Sequence, residues 1–169
     1  MDLAGDRVRL RPAVEADAGA LVRIRSTDEV FAHWRGDDLE TEVRRDIAAP
    51  DRHLLVIEDQ AGTEIGAIQW YTEDDPDYRS AGIDVYLDPT VHGRGLGTDA
   101  VRTLARYLFE VEGHHRLTID PAADNVAAIR CYQKVGFRAV GVMRQYERGA
   151  DGSWHDGLLM DLLADDLSN

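Results

Sequence analysis

Residues 82–109 constrain the fold more than any other stretch of the chain. In "GIDVYLD" (82–88), Ile83, Val85 and Leu87 alternate with Asp84, Tyr86 and Asp88, the pattern of a strand. Gly93, Gly95 and Gly97 follow within a few residues. Then Leu96, Ala100, Val101, Leu104, Ala105 and Leu108 recur at helical spacing, which predicts an amphipathic helix to about Phe109. A glycine-rich turn between strand and helix exposes backbone N–H groups, and the first helical turn adds more, together with the positive dipole end. Such a turn can cradle phosphate. The dipole supplies only about 0.3–1 kcal/mol, so several hydrogen bonds must carry the affinity. The glycines alone leave two readings: an anion cradle, or a helix start that happens to be rich in glycine. A nucleotide P-loop is excluded, because no Gly-Lys-Ser/Thr follows. The dinucleotide fingerprint is excluded too, because its glycine spacing differs.

The rest of the chain supplies the frame. "RVRLRP" (7–12) reads as a strand, "EADAGALVRIRS" (15–26) as a helix and 39–48 as a second helix stopping before Pro50. "HLLVIED" (53–59) and "EIGAIQWYT" (64–72) are strands joined by a hairpin turn, and 73–81 is a polar loop. "HRLTID" (115–120) is a strand. Residues 124–136 form a helix with Asp124 as its cap and Gly136 as its terminator. Two further strands flank the turn "GADG" (149–152). Three meandering strands followed by strand–helix crossovers imply an α/β chain with a mixed sheet and helices on both faces.

Length and charge then exclude whole classes of function. The 169 residues suit a single domain spanning 1–169, and 44% hydrophobic with 30% charged residues is ordinary for a globular chain. A net charge of −13 argues against nucleic acid and favours a cationic partner. No apolar run is long enough to span a membrane, and the N-terminus carries acids where a signal peptide needs bases, so the expected compartment is the cytoplasm. One cysteine, Cys131, excludes an intrachain disulfide. His114 and His115 are adjacent on a strand entry and point to opposite faces, so no metal site is expected. Nothing in the sequence marks an oligomer seam, and a monomer is the default.

"HGRGLGTDAV" followed about thirty residues later by "NVAAIRCYQKVGF" resembles the GCN5-related N-acetyltransferase superfamily. Residues 92–97 match its Gln/Arg-x-x-Gly-x-Gly/Ala signature, except that His92 stands where the family has Gln or Arg. Asn125, Ala128, Tyr132, Lys134, Gly136 and Phe137 match a second family segment. The resemblance implies a mostly antiparallel sheet of six to seven strands, splayed in the middle. It implies acetyl-CoA as cofactor, its pyrophosphate held by backbone from His92 and Gly93 through Arg94, Gly95, Leu96 and Gly97 to Thr98. Backbone groups of Val85, Tyr86 and Leu87 would pair with the pantetheine arm as if it were an added strand. Asn125 and Ala128 would lie along the arm, and Tyr132 would protonate the departing thiolate. Read from the residues alone, Tyr132 is a helix residue packing its ring on the sheet; the family segment around it is what favours the acid role. Cys131 reads as a buried helix residue rather than a nucleophile.

The segments "GIDVYLDP", "LTIDPAADN" and "AIRCYQKVGF" are most similar to the aminoglycoside 6'-N-acetyltransferases, the antibiotic-resistance branch. That resemblance implies a polycationic amine acceptor, with Asp84 as base and Asp120 in the antibiotic site. It also sets Trp70, Glu73, Asp74 and Asp75 of the acidic loop against the amino sugar. The bland readings are a turn role for Asp120 and a solvated face for the loop. Trp34, with Asp37 and Asp38, is a candidate for the opposite wall. The opening "RVRLRPAVEADAGAL" looks instead like the ribosomal-protein and peptide N-terminal acetyltransferases. Acceptors of that kind, or polyamines, are the alternative, and a non-catalytic acetyl-CoA sensor is the alternative of another class.

Overall fold

The computed structural model describes residues 1–50 and 52–168. In chain order the elements are β1 (Leu3–Ala4), β2 (Val8–Pro12), α1 (Ala18–Arg25), α2 (Asp28–Phe31), α3 (Leu39–Ala48), β3 (His53–Asp59), β4 (Glu64–Glu73), β5 (Ser80–Leu87), α4 (Leu96–Glu110), β6 (Arg116–Ile119), α5 (Val126–Val135), β7 (Arg138–Arg148) and β8 (Trp154–Leu163). The strands form one eight-stranded sheet in the order β1-β2-β3-β4-β5-β6-β8-β7. This exceeds the six to seven strands expected. β1, with two residues, and α2, with four, are too short to leave a periodic signal. No helix among the described residues is long and apolar enough to cross a membrane.

Alternation along the central strands sorts the core onto two faces. Ile68, Trp70 and Ile83 pack on one face with Ala100, Leu104 and Leu108 of α4. Val56, Ala67 and Tyr86 pack on the other with Leu21 and Ile24 of α1 and Val43 of α3. Each fully buried aliphatic side chain of this kind contributes about 1.5–3 kcal/mol relative to exposure.

One join in this sheet positions the site. β5 and β6 are parallel, and their register covers only Ala81↔Leu117 and Gly82↔Thr118. Every other neighbouring pair is antiparallel. Past Gly82 the two strands part. β6 stops at Ile119, and Pro121 just beyond has no N–H to continue a ladder. The edge of β5 from Ile83 to Leu87 is therefore left without β6 as a partner. α5 then starts across the gap. Its N-cap is Asn125, whose side-chain oxygen accepts from the Ala128 N–H at 3.1 Å. The cap expected at Asp124 is thus one residue later.

Candidate active site

At the C-terminal end of β5 the chain makes the glycine-rich turn. Gly93 (φ +74°) and Gly95 (φ +79°) are both left-handed, a conformation that side chains rarely adopt. Gly95 is the N-cap of α4. Gly97 has another reason to be glycine: a Cβ there would meet Leu87 Cδ1 at 3.0 Å, so it lets the helix approach the strand. From Gly93 to Thr98 no backbone N–H finds an acceptor among the described residues, and the first intrahelical bond is Asp99 N–H to the Gly95 carbonyl. A run of free donors at a helix start fits a pyrophosphate. His92 turns its Nε2 toward the Leu87 carbonyl at 3.1 Å, so it braces the turn from behind. The unpaired edge of β5, carrying Val85 and Tyr86, leads away from this cradle.

That edge opens into a cleft of about 320 Å³, running through the parting of the sheet. Ile83, Val85, Ala128, Asn125 and Tyr132 line it on the side of α4 and α5. Tyr132 is only 7% exposed, and burial raises its phenol well above the ordinary value, so it stays protonated at neutral pH. Among the described residues, only Tyr107 and Tyr146 use their hydroxyls in hydrogen bonds; the Tyr132 hydroxyl remains available to a ligand. Cys131 beside it is half-buried, with Thr98 Oγ1 3.3 Å from its sulfur, and burial pushes the thiol up. A thiol held protonated is a poor nucleophile.

The opposite side of the cleft is acidic. Asp84 takes a hydrogen bond from Gln69 Nε2 at 3.0 Å. Burial is the main cause raising its pKa; the Gln69 bond opposes the shift, and the nearby Asp120 charge adds to it. Asp120 lies across the parting and accepts from the Tyr146 hydroxyl at 2.5 Å. Tyr71 stands close by, its phenol raised to about 12 by burial and then by the charges of Asp84 and Asp120. Trp34 closes the wall, its ring 4.9 Å from that of Tyr86 and edge-on to it. It is held from behind by Arg25, which is 4% exposed and donates to the carbonyls of Trp34 and Arg35 and to Glu42. Glu147 and Arg52 also line it. Over this end, Arg35 Nη1 donates to the Gly149 carbonyl at 2.7 Å, tying the loop after α2 to the β7–β8 turn.

Several expected acceptor residues are elsewhere. Trp70 is 3% exposed on the α4 face, stacked on His53 at 4.2 Å with Tyr107 edge-on, so it does not reach the cleft. Strand alternation turns its neighbour Tyr71 to the opposite face, beside the charges of Asp84 and Asp120. Glu73, Asp74 and Asp75 do not line the cleft either. Glu73 and Asp75 spend their carboxylates on N–H groups within their own loop. Asp38 caps α3. Gln69, Tyr71 and Tyr146 were not identified from sequence. Gln69 and Tyr71 were legible, since pairing β4 with β5 sets Gln69 opposite Asp84. Tyr146 was not, because β7 slips its register against β8 between Met143 and Glu147. A second hollow at that slip, lined by Arg144, Gln145 and Asp156, shares no residue with the cleft.

A family model described as "Acetyltransferase (GNAT) domain" matches residues 7–138. The chain is 30% identical over 159 residues to "Aminoglycoside N(6')-acetyltransferase type 1" of Klebsiella pneumoniae, covering 83% of this chain and 78% of that protein. Two solved structures share the fold. RimJ of Mycobacterium smegmatis, in complex with CoA-disulfide, has a TM-score of 0.85 at 24% identity, covering 100% of this chain and 90% of that one. Spermidine N-acetyltransferase of Vibrio cholerae, with CoA and spermine, has a TM-score of 0.80 at 21% identity, covering 94% and 96%.

Proposed function

Because this chain belongs to the GNAT family of acetyltransferases, which draw the acetyl group from acetyl-CoA, we propose that its acceptor is the 6'-amine of an aminoglycoside. The observation that carries this reading is the acidic half of the cleft. Asp84 and Asp120 meet across the parting of the sheet, with the rings of Trp34, Tyr71 and Tyr146 around them. Carboxylates and aromatic faces together suit a substrate with several ammonium groups. The aminoglycoside relative supports the same substrate class.

The residues divide the chemistry between them. Backbone N–H groups of Gly93–Thr98 hold the pyrophosphate, and the open edge of β5 at Val85 and Tyr86 aligns the arm. Asp84 holds the ammonium and passes one of its protons out to water, freeing the nitrogen lone pair that attacks the thioester carbon; the second N–H proton, lost as the amide forms, replaces the one that leaves Tyr132 for the sulfur. An alkyl ammonium titrates near 10.4, so only about one molecule in 2,500 is neutral at pH 7, and an adjacent acceptor is needed. Tyr132 gives its phenolic proton to the sulfur as the C–S bond breaks. Asp120, held by Tyr146, binds a second ammonium. Cytoplasmic action follows from dependence on the acetyl-CoA pool.

A polyamine is the second reading, favoured by the cleft volume. About 320 Å³ lies at the small end of ligand sites and fits a linear polycation more readily than a three-ring sugar. Thiol release from acetyl-CoA with kanamycin, spermidine or an Ala/Ser-initiated peptide decides between them. The aminoglycoside reading expects the highest kcat/KM with kanamycin, falling as salt rises. Turnover of spermidine or peptide with none of kanamycin overturns it.

A further inference from the structure

A side chain remote in sequence from the glycine turn reaches it. Arg7, at the turn before β2, reaches across to the glycine turn before α4, where its Nη1 donates to the Arg94 carbonyl at 2.6 Å. A Cβ built on Gly95 would sit 3.3 Å from that same nitrogen. The guanidinium therefore borders the left-handed turn whose N–H groups are free. It makes no other side-chain hydrogen bond and no ion pair with the described residues, in a chain of net charge −13.

The placement of Arg7 is built, not incidental. Asp99, in the first turn of α4, is 5% exposed, and its carboxylate accepts from three consecutive N–H groups: Asp6 at 3.3 Å, Arg7 at 2.8 Å and Val8 at 3.1 Å. Gly5 makes room for this, since a Cβ there would strike Asp99 and Thr103 at 2.6 Å. A buried acid at the start of the phosphate-binding helix is unfavourable for an anion nearby. Here its charge is spent on the backbone that presents Arg7.

We propose that Arg7 is a further cofactor-binding residue, its free guanidinium donors meeting the pyrophosphate of acetyl-CoA over the cradle, with Asp99 as the residue that positions it. A guanidinium presents a planar fork of donors, and one of them is already spent on Arg94, which fixes the plane of the rest. The same bond satisfies the Arg94 carbonyl within the turn.

The test is titration calorimetry of CoA and of dephospho-CoA, which lacks the 3'-phosphate, on the full chain. Arg7→Gln is expected to raise Kd about tenfold for both ligands, with a shallower salt dependence, and Arg7→Lys to recover part of the loss. Thermal melts without ligand are expected to leave Arg7→Gln near wild type, since its side chain is exposed. Asp99→Asn is expected to lose affinity and stability together. Unchanged CoA affinity in folded Arg7→Gln overturns the proposal. A loss for CoA but none for dephospho-CoA overturns the pyrophosphate assignment and moves Arg7 to the 3'-phosphate. Neither outcome depends on which amine is the acceptor.

Discussion

Gln69 stands directly opposite Asp84 on the neighbouring strand and donates to its Oδ2 at 3.0 Å. The bond fixes the plane of the carboxylate and leaves Oδ1 without a donor among the described residues. The base of the proposed reaction is thus oriented by the sheet's own register.

Asp84→Asn keeps the shape and removes both charge and proton acceptor. A kcat loss of at least about 10²-fold with kanamycin is expected, partly recovered at high pH where more free amine exists. In the wild type the rate should fall as pH drops through the raised Asp84 value. The same shift bears on stability. The folded pKa lies above the unfolded one, so ionising Asp84 works against the folded state. Asp84→Asn should therefore melt higher than wild type at pH 7, with the gap closing below the ordinary carboxylate range. A pH series of kcat/KM and melting temperature checks both halves; a mutant equal to wild type across the series removes Asp84 from the mechanism.

Tyr132→Phe deletes the hydroxyl and keeps the ring in the core. The expected result is a kcat lowered by about 10²-fold or less, because a thiolate leaves fairly well unaided, with little change in KM for acetyl-CoA. Burial raises the Tyr132 pKa, so no loss of wild-type activity from its ionisation is expected below about pH 10. Wild-type turnover by the mutant would reduce Tyr132 to a packing role.

Gly95→Ala should cost about 1–2 kcal/mol, because its φ of +79° is left-handed, and should weaken CoA binding as well. Gly62 provides the control. Its φ is +78° with nothing within 4 Å of an added Cβ, so Gly62→Ala carries the same backbone strain away from the cradle. Melting curves should shift alike, while calorimetry with CoA should separate them. Equal CoA affinity for both variants argues against the cradle.

Asp120→Asn and Tyr146→Phe should act mainly on KM for the acceptor. Tyr146→Phe removes the donor held by Asp120 at 2.5 Å and frees that carboxylate. Asp120→Asn should raise the kanamycin KM about tenfold and flatten its dependence on salt, whereas Tyr146→Phe should change it less. Steady-state kinetics at two ionic strengths distinguish these outcomes; a kcat effect larger than the KM effect for Asp120→Asn would make it part of the chemistry.

Much of the donor half was legible because it is local. The glycine turn, the amphipathic α4 and the alternating β5 are each contiguous stretches whose pattern survives folding intact. The acceptor half is assembled from distant pieces, and there the sequence misled at Trp70, Glu73, Asp74 and Asp75, none of which lines the cleft. Trp70 looked the better partner for an amino sugar, yet the two-residue period of β4 turns it inward and sets Tyr71 on the face of Asp84 and Asp120. Gln69 follows from the β4–β5 pairing once Asp84 is fixed. Tyr146 depends on a register slip in β7, and Arg7 on a buried acid ninety-two residues away, neither of which leaves a periodic trace. Asn125 spends its oxygen on the start of α5, so only its amide NH₂ is left for the cofactor arm.

The Arg35–Gly149 bond spans two turns that belong to no strand ladder and carry no part of the glycine cradle. Such segments tolerate substitution and insertion far better than the strands they cap. Substitution here would leave the glycine cradle, and with it the acetyl donor, untouched. Of the two turns, the segment 32–38 carries His33 and Trp34 of the cleft wall, so directed evolution toward a new acceptor would start its library there.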